Sequence, residues 1–159
     1  MKRAGRNLKE MNIVIDASVL LKAYFKDESG HSAAQELIKS YARGECNFIA
    51  PSLITYEIIN ACIVAHRKGH IALDLVKEVL DEMLLLEIRR EEVEHLTDRI
   101  FEISHRYNRN AYDASYIALA EAQNCDLITG DKKLCNAVSK QLKWVKLLCS
   151  EGDSKSRDA

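Results

Sequence analysis

Four carboxylates stand where chemistry could be done: Asp16, Glu57, Asp113 and Asp131. Asp16 ends the β-branched run Ile13-Val14-Ile15, and apolar residues resume at once with Val19, Leu20 and Leu21. An unpaired charge in so apolar a segment costs on the order of several kcal/mol, so Asp16 needs a partner. Glu57 falls in the first turns of a helical segment, with Asn60 three residues on and therefore on the same face. Asp113 belongs to the first turn of an alanine-rich helix, and Asp131 follows the strand-like stretch Asp126 to Thr129 after the single turn residue Gly130. Brought together, such acids repel: two like charges about 4 Å apart cost roughly 4 kcal/mol at an effective dielectric of 20. Protonation or a divalent cation must relieve this, and oxygen-only ligands select Mg²⁺ or Mn²⁺ over zinc. Mg²⁺ keeps several waters, and one of them, acidified by the ion, can attack a phosphodiester.

Each acid also has a plainer explanation. Asp16 is a good N-cap for the helix after it, Asp113 is placed to join Asn110 in a capping arrangement, and Asp131 is placed to cap its own helix. Glu57 reads equally as a solvated helix residue. The case for a site rests on the set.

The elements that must position the acids alternate between strand and helix. Ile13 to Ile15 has the pattern of a strand buried on both faces. A short helix over 18–24 follows, then a polar break at 26–30. A helix over 32–43 is closed by Gly44. Asn47 to Ala50 reads as a second strand stopped by Pro51, with Ser52 as N-cap of a helix running to about Lys68. A helix over 72–85 leads to a third strand at Leu86 to Ile88. A long helix from Glu91 to Tyr107 and the polar turn Asn108-Arg109-Asn110 precede the alanine-rich helix over 111–124. A fourth strand at 126–129, a short helix over 131–140 and a last strand at 144–148 complete the order. The expected architecture is a three-layer α/β/α sandwich with a mainly parallel sheet of four to five short strands. Ligands in such sheets collect at the carboxyl ends of the strands, where the four acids would share one edge.

The 159 residues suit one domain over 11–149, with a flexible basic extension at 1–10 and a disordered polar tail at 150–159. No apolar run approaches the ~20 residues that cross a bilayer, and the N-terminal segment lacks a signal-peptide core, so a cytoplasmic protein is expected. Five cysteines, without any C-x-x-C, read as buried reduced thiols. His66 and His70 read as surface residues at a helix end. A net charge of −1 does not advertise a nucleic-acid binder. Acids that load cations offset that objection, and basic residues do cluster at His66-Arg67-Lys68 and at His105, Arg106 and Arg109.

The segments I-V-I-D-A-S-V-L at 13–20, E-I-I-N at 57–60, Y-D-A-S-Y-I-A-L-A at 112–120 and L-I-T-G-D at 127–131 resemble the PIN-domain ribonucleases, most closely the VapC-type toxins of toxin–antitoxin pairs. The resemblance spans about residues 11–149, and 112–120 is its most specific part. It implies a Mg²⁺- or Mn²⁺-dependent endoribonuclease, with one or two ions held by Asp16, Glu57, Asp113 and Asp131, leaving a 5′-phosphate and a 3′-hydroxyl. Ser18, Asn60 and Thr129 match the polar residues that accompany the acids, and Ser18 and Thr129 would orient the ligating carboxylates. Arg106, Arg109 and Tyr112 are the candidate RNA contacts, through phosphate pairing and base stacking. The resemblance further implies a homodimer and an antitoxin partner. Apolar helix faces within 30–86 are the expected dimer surface.

Three other readings are weighed against this one. A phosphoacceptor signalling domain also carries an aspartate at a strand end, but would gather extra acids near the first strand, where only Asp16 stands. A non-catalytic PIN-like module binding RNA or protein would gain no melting temperature from Mn²⁺. A phosphatase of the D-x-D type would need an aspartate where Ser18 stands.

Overall fold

The computed structural model describes residues 11–26 and 29–149. The expected flexible extension at 1–10 and tail at 150–159 lie outside the described residues. Five strands form one sheet: β1 (Met11–Ile15), β2 (Cys46–Pro51), β3 (Arg89–Glu91), β4 (Asp126–Thr129) and β5 (Val145–Leu147). Their order is β3-β2-β1-β4-β5 and every pairing is parallel. The chain steps outward from β1 to β3, returns past β1 to β4, and continues to β5. The strand order therefore reverses between β1 and β4, the point where open parallel sheets bind ligands.

Right-handed crossovers place the outward and return connections on opposite faces of the sheet. The outward connections carry α1 (Ala17–Tyr24), α2 (His31–Ala42), α3 (Ile54–Arg67) and α4 (Leu73–Leu85). Among these, α1 packs on α2 and α3, and α3 on α4. The return carries α5 (Thr97–Tyr107) and α6 (Ala111–Ala122), and α7 (Lys132–Val138) links β4 to β5. α6 lies across β1, β2 and β4, with α5 packed on it. The expected three-layer sandwich is what forms.

Burial explains why these segments take these places. Val14, Ile15, Ile49, Ala50 and Leu127 are fully buried because helices cover both faces of the central strands. All of Ala114 to Ala120 is buried, and its small alanines let α6 sit close against the sheet. None of the described helices is long and apolar enough to cross a membrane.

The third strand departs from expectation. It occupies Arg89–Glu91, pairing with Ile49–Pro51, and not Leu86 to Ile88. Ile88 is buried just before the strand begins, while β3 is a short charged edge, a design that discourages edge pairing and leaves no apolar signature. The long helix expected from Glu91 is accordingly divided into β3, a 3-10 turn at Glu94–Leu96, and α5. Pro51 does not stop β2 but is its last residue; Ser52 N–H, one residue on, donates to the Glu91 carbonyl (3.0 Å). Ser52 does not cap α3 either, because its hydroxyl donates to Glu92 Oε1 (2.6 Å). All five cysteines are free, and Cys149, expected to be buried, is exposed.

Candidate active site at the carboxyl edge of the sheet

Asp16 directly follows β1 and its carboxylate is buried. Oδ1 accepts from the Ser18 backbone N–H (2.9 Å) and from the Ser18 hydroxyl, while Oδ2 accepts from the Thr129 hydroxyl. Both hydroxyls also accept: Ser18 Oγ from Gly130 N–H (2.9 Å) and Thr129 Oγ1 from Asp131 N–H (3.0 Å). The end of β1 and the turn after β4 are thus stapled across the switch point. An ionised carboxylate offers about four acceptor sites, and these three bonds, with the Val19 backbone N–H also acting on the group, hold it in place. Burial pushes its pKa up, against the pull of the Ser18 and Thr129 hydrogen bonds.

The other acids come from three different connections. Glu57 is in the first turn of α3 and half-buried. Asp113 is brought to the edge by the α5–α6 turn. Asn108 ends α5 with φ 50°, a left-handed conformation that asparagine tolerates, and Asn110 Oδ1 caps α6 by accepting from Asp113 N–H (2.8 Å). Asp131 caps α7, accepting from Lys133 N–H (2.9 Å) and Leu134 N–H (3.1 Å). The capping roles of Asp16, Asn110 and Asp131 are therefore real, and they fix the acids at the edge.

The acids sense one another. Burial raises the Glu57 pKa, and the charges of Asp16 and Asp113 raise it further, while Tyr116 lowers it. Burial also raises Asp113, with Asp131 adding to the rise and Arg109 opposing it. Glu57 Oε1 is a buried acceptor without a hydrogen-bond partner, and so is the Tyr116 hydroxyl oxygen. Such orphaned groups cost about 1–3 kcal/mol each. An oxygen-only donor set with an unpaired buried carboxylate oxygen fits a hard divalent cation. Among the described residues, however, no three acid, histidine or cysteine groups stand close enough to grip one ion together.

The accompanying residues divide. Ser18 and Thr129 join the cluster through hydrogen bonds, whereas Asn60 is exposed on α3, outside that network. Arg109 lies on the Asp113 side, its Nε donating to the Asn108 carbonyl (2.9 Å). Tyr112 is 63% exposed beside it. Arg106 is exposed, 3.9 Å from Glu102, and lines a groove of about 790 Å³ with Arg99, Tyr107 and Trp144; none of the four acids lines it. Sequence reasoning missed Tyr116, whose signal was a large side chain with a polar tip inside a buried alanine-rich helix.

Fold and site together define an α/β protein with a carboxylate-lined edge at the switch point of a parallel sheet. Residues 13–140 match the PIN domain family model. The chain is 35% identical over 122 residues to the VapC ribonuclease Mb0985 of Mycobacterium bovis, covering 77% of this chain and 87% of that protein. The same figures hold for ribonuclease VapC9 of Mycobacterium tuberculosis. This chain belongs to the PIN domain family. Two solved structures share the fold. PAE2754 from Pyrobaculum aerophilum has a TM-score of 0.58 at 22% identity, over 87% of this chain and 92% of that one. The sarcin-ricin loop cleaving toxin VapC20 of Mycobacterium tuberculosis has 0.56 at 15% identity, over 79% and 95%.

Proposed function

We propose that this protein is a divalent-metal-dependent endoribonuclease acting in the cytoplasm as the toxin of a toxin–antitoxin pair. The observation that carries the reading is the run of carboxylates at one edge of the sheet, Asp16 buried, Glu57 and Asp113 half-buried and Asp131 exposed, in which Asp16 and Asp113 act on Glu57 and Asp131 acts on Asp113. Relatives named as VapC ribonucleases, matched over most of their length, support the activity and the toxin role.

In this reading Asp16, Glu57 and Asp113 hold the ion, directly or through water, and Asp131 completes the site or serves a second ion. Mg²⁺ or Mn²⁺, when bound, supplies an acidified water and offsets charge on the phosphoryl oxygens. Ser18 and Thr129 fix the orientation of the Asp16 carboxylate at the edge. Asn60, in the second turn of the same helix as Glu57, contacts ligands from the open side. Arg109 offsets negative charge that develops beside Asp113, while Arg106 and Tyr112 contact the RNA strand. Exposed leucines of α4 form part of a homodimer surface, and a cognate antitoxin covers the site.

The test is RNA cleavage by purified protein with Mn²⁺ or with chelator. Cleavage is expected to need the ion and to fall below about 1% of wild type in Asp16→Asn with the fold intact. Undiminished cleavage by that variant, or cleavage in chelator, would refute the assignment.

A further inference from the structure

Tyr116 is 2% exposed and lies at the floor of the acid cluster. It sits three residues beyond Asp113 on α6, so the two project from one face of the helix. Its hydroxyl is within electrostatic reach of the Glu57 and Asp16 carboxylates and of the Ala17 backbone. Neither that hydroxyl nor Glu57 Oε1 has a hydrogen-bond partner of ordinary geometry.

A packing role would need only the ring. The other polar side chain in the buried stretch of α6, Ser115, is satisfied within its own helix by the Ala111 carbonyl (2.7 Å). The Tyr116 hydroxyl instead faces Glu57 and the Ala17 backbone, in contacts that fall short of ordinary hydrogen-bond geometry. A phenol can donate and an ionised carboxylate can only accept, so the two orphaned atoms are complementary. The two already interact, and a small side-chain rotation that perfects their bond removes the cost of leaving both imperfectly paired.

We propose that Tyr116 is a positioning residue: its hydroxyl donates to Glu57 Oε1 and turns the other Glu57 oxygen toward Asp16, where a hard divalent cation binds. The inference rests on reading the acids as a cation site and adds a residue to it.

The experiment is calorimetric titration of Mn²⁺ into the full-length protein without RNA, for wild type, Tyr116→Phe, Glu57→Gln and the double variant, with metal-free melting curves alongside. Tyr116→Phe should still fold and melt cooperatively, a few degrees below wild type, since the ring still fills its space while Glu57 Oε1 loses its donor. Its Mn²⁺ dissociation constant should rise roughly 10- to 100-fold, the usual loss when a group orienting a ligand is removed. The double variant should bind no more weakly than Glu57→Gln alone, because the hydroxyl acts through that carboxylate. Wild-type affinity in Tyr116→Phe, whether or not its melting temperature falls, or additive losses in the double variant, would overturn the inference and leave the cation site standing. A wild-type protein that binds no Mn²⁺ would overturn the site and the inference together.

Discussion

The Thr129 hydroxyl, at the end of β4, donates to the Asp16 carboxylate at the end of β1, joining residues 113 positions apart in the chain. Thr129 Oγ1 also accepts from Asp131 N–H, so one hydroxyl ties two acids into a single rim. Thr129→Val keeps the shape but leaves Asp16 Oδ2 and Asp131 N–H without partners. The expected loss is about 1–3 kcal/mol for each group left unpaired, read from urea denaturation without metal. Thr129→Ser should recover most of it.

The carboxyl edge should make the metal-free protein lose stability as pH rises above the ordinary carboxyl range. Asp16, Glu57 and Asp113 all have folded pKa values above the ordinary 3.8 for Asp and 4.5 for Glu, chiefly because burial penalises their charge. Above those ordinary values the unfolded chain releases these protons while the folded one still holds them, so stability falls as pH rises to the folded values. Glu57→Gln has no such proton to lose. Its stability relative to wild type should therefore grow as pH rises above 4.5 and level off once the folded Glu57 has ionised, measured in chelator. Saturating Mn²⁺ should reverse the order at pH 8. A difference that stays flat with pH would show that Glu57 is solvated.

Gly130 has no room for a side chain. A Cβ there would lie 2.5 Å from Lys22 Cε, 2.7 Å from Lys22 Cδ and 3.1 Å from Ser18 Oγ. Lys22 ends in a flexible stem, so Gly130→Ala should cost only about 1 kcal/mol. Gly130→Val must press on Ser18 and strain the Gly130 N–H to Ser18 bond, costing about 2–3 kcal/mol. Thermal melts of the two variants check the order.

On α4, Leu73, Leu75 and Leu85 are 62%, 50% and 80% exposed. In the proposed homodimer a second copy of the chain would cover these side chains. Sedimentation at micromolar concentration should show a dimer, and Leu85→Asp should shift it toward monomer. A wild-type monomer would contradict the dimer.

What could be read from the chain was whatever local pattern dictates. Ile13 to Ile15 announced a doubly buried strand, Asp126 to Thr129 another, and a parallel sheet then required Asp16 and Asp131 to share an edge. β3 was illegible because Arg89, Arg90 and Glu91 form a charged edge strand, while the apolar residues that suggested it, Leu86 and Ile88, pack just before it. Ser52 looked like a helix cap, yet it bonds to Glu92, forty positions away, which no local pattern encodes. Tyr116 was hidden for the same reason. Its ring fits a core helix, and only the fold brings its hydroxyl to Glu57.

The central claim is that the acids of β1, α3 and α6 converge on one hard cation, and anomalous diffraction from crystals grown with Mn²⁺ tests it most directly. The account predicts a manganese peak within coordination distance of Asp16 and of at least one of Glu57 and Asp113, with the Ser18 and Thr129 bonds to Asp16 kept. No peak at that edge, or manganese bound elsewhere while the three carboxylates stay apart, would contradict it.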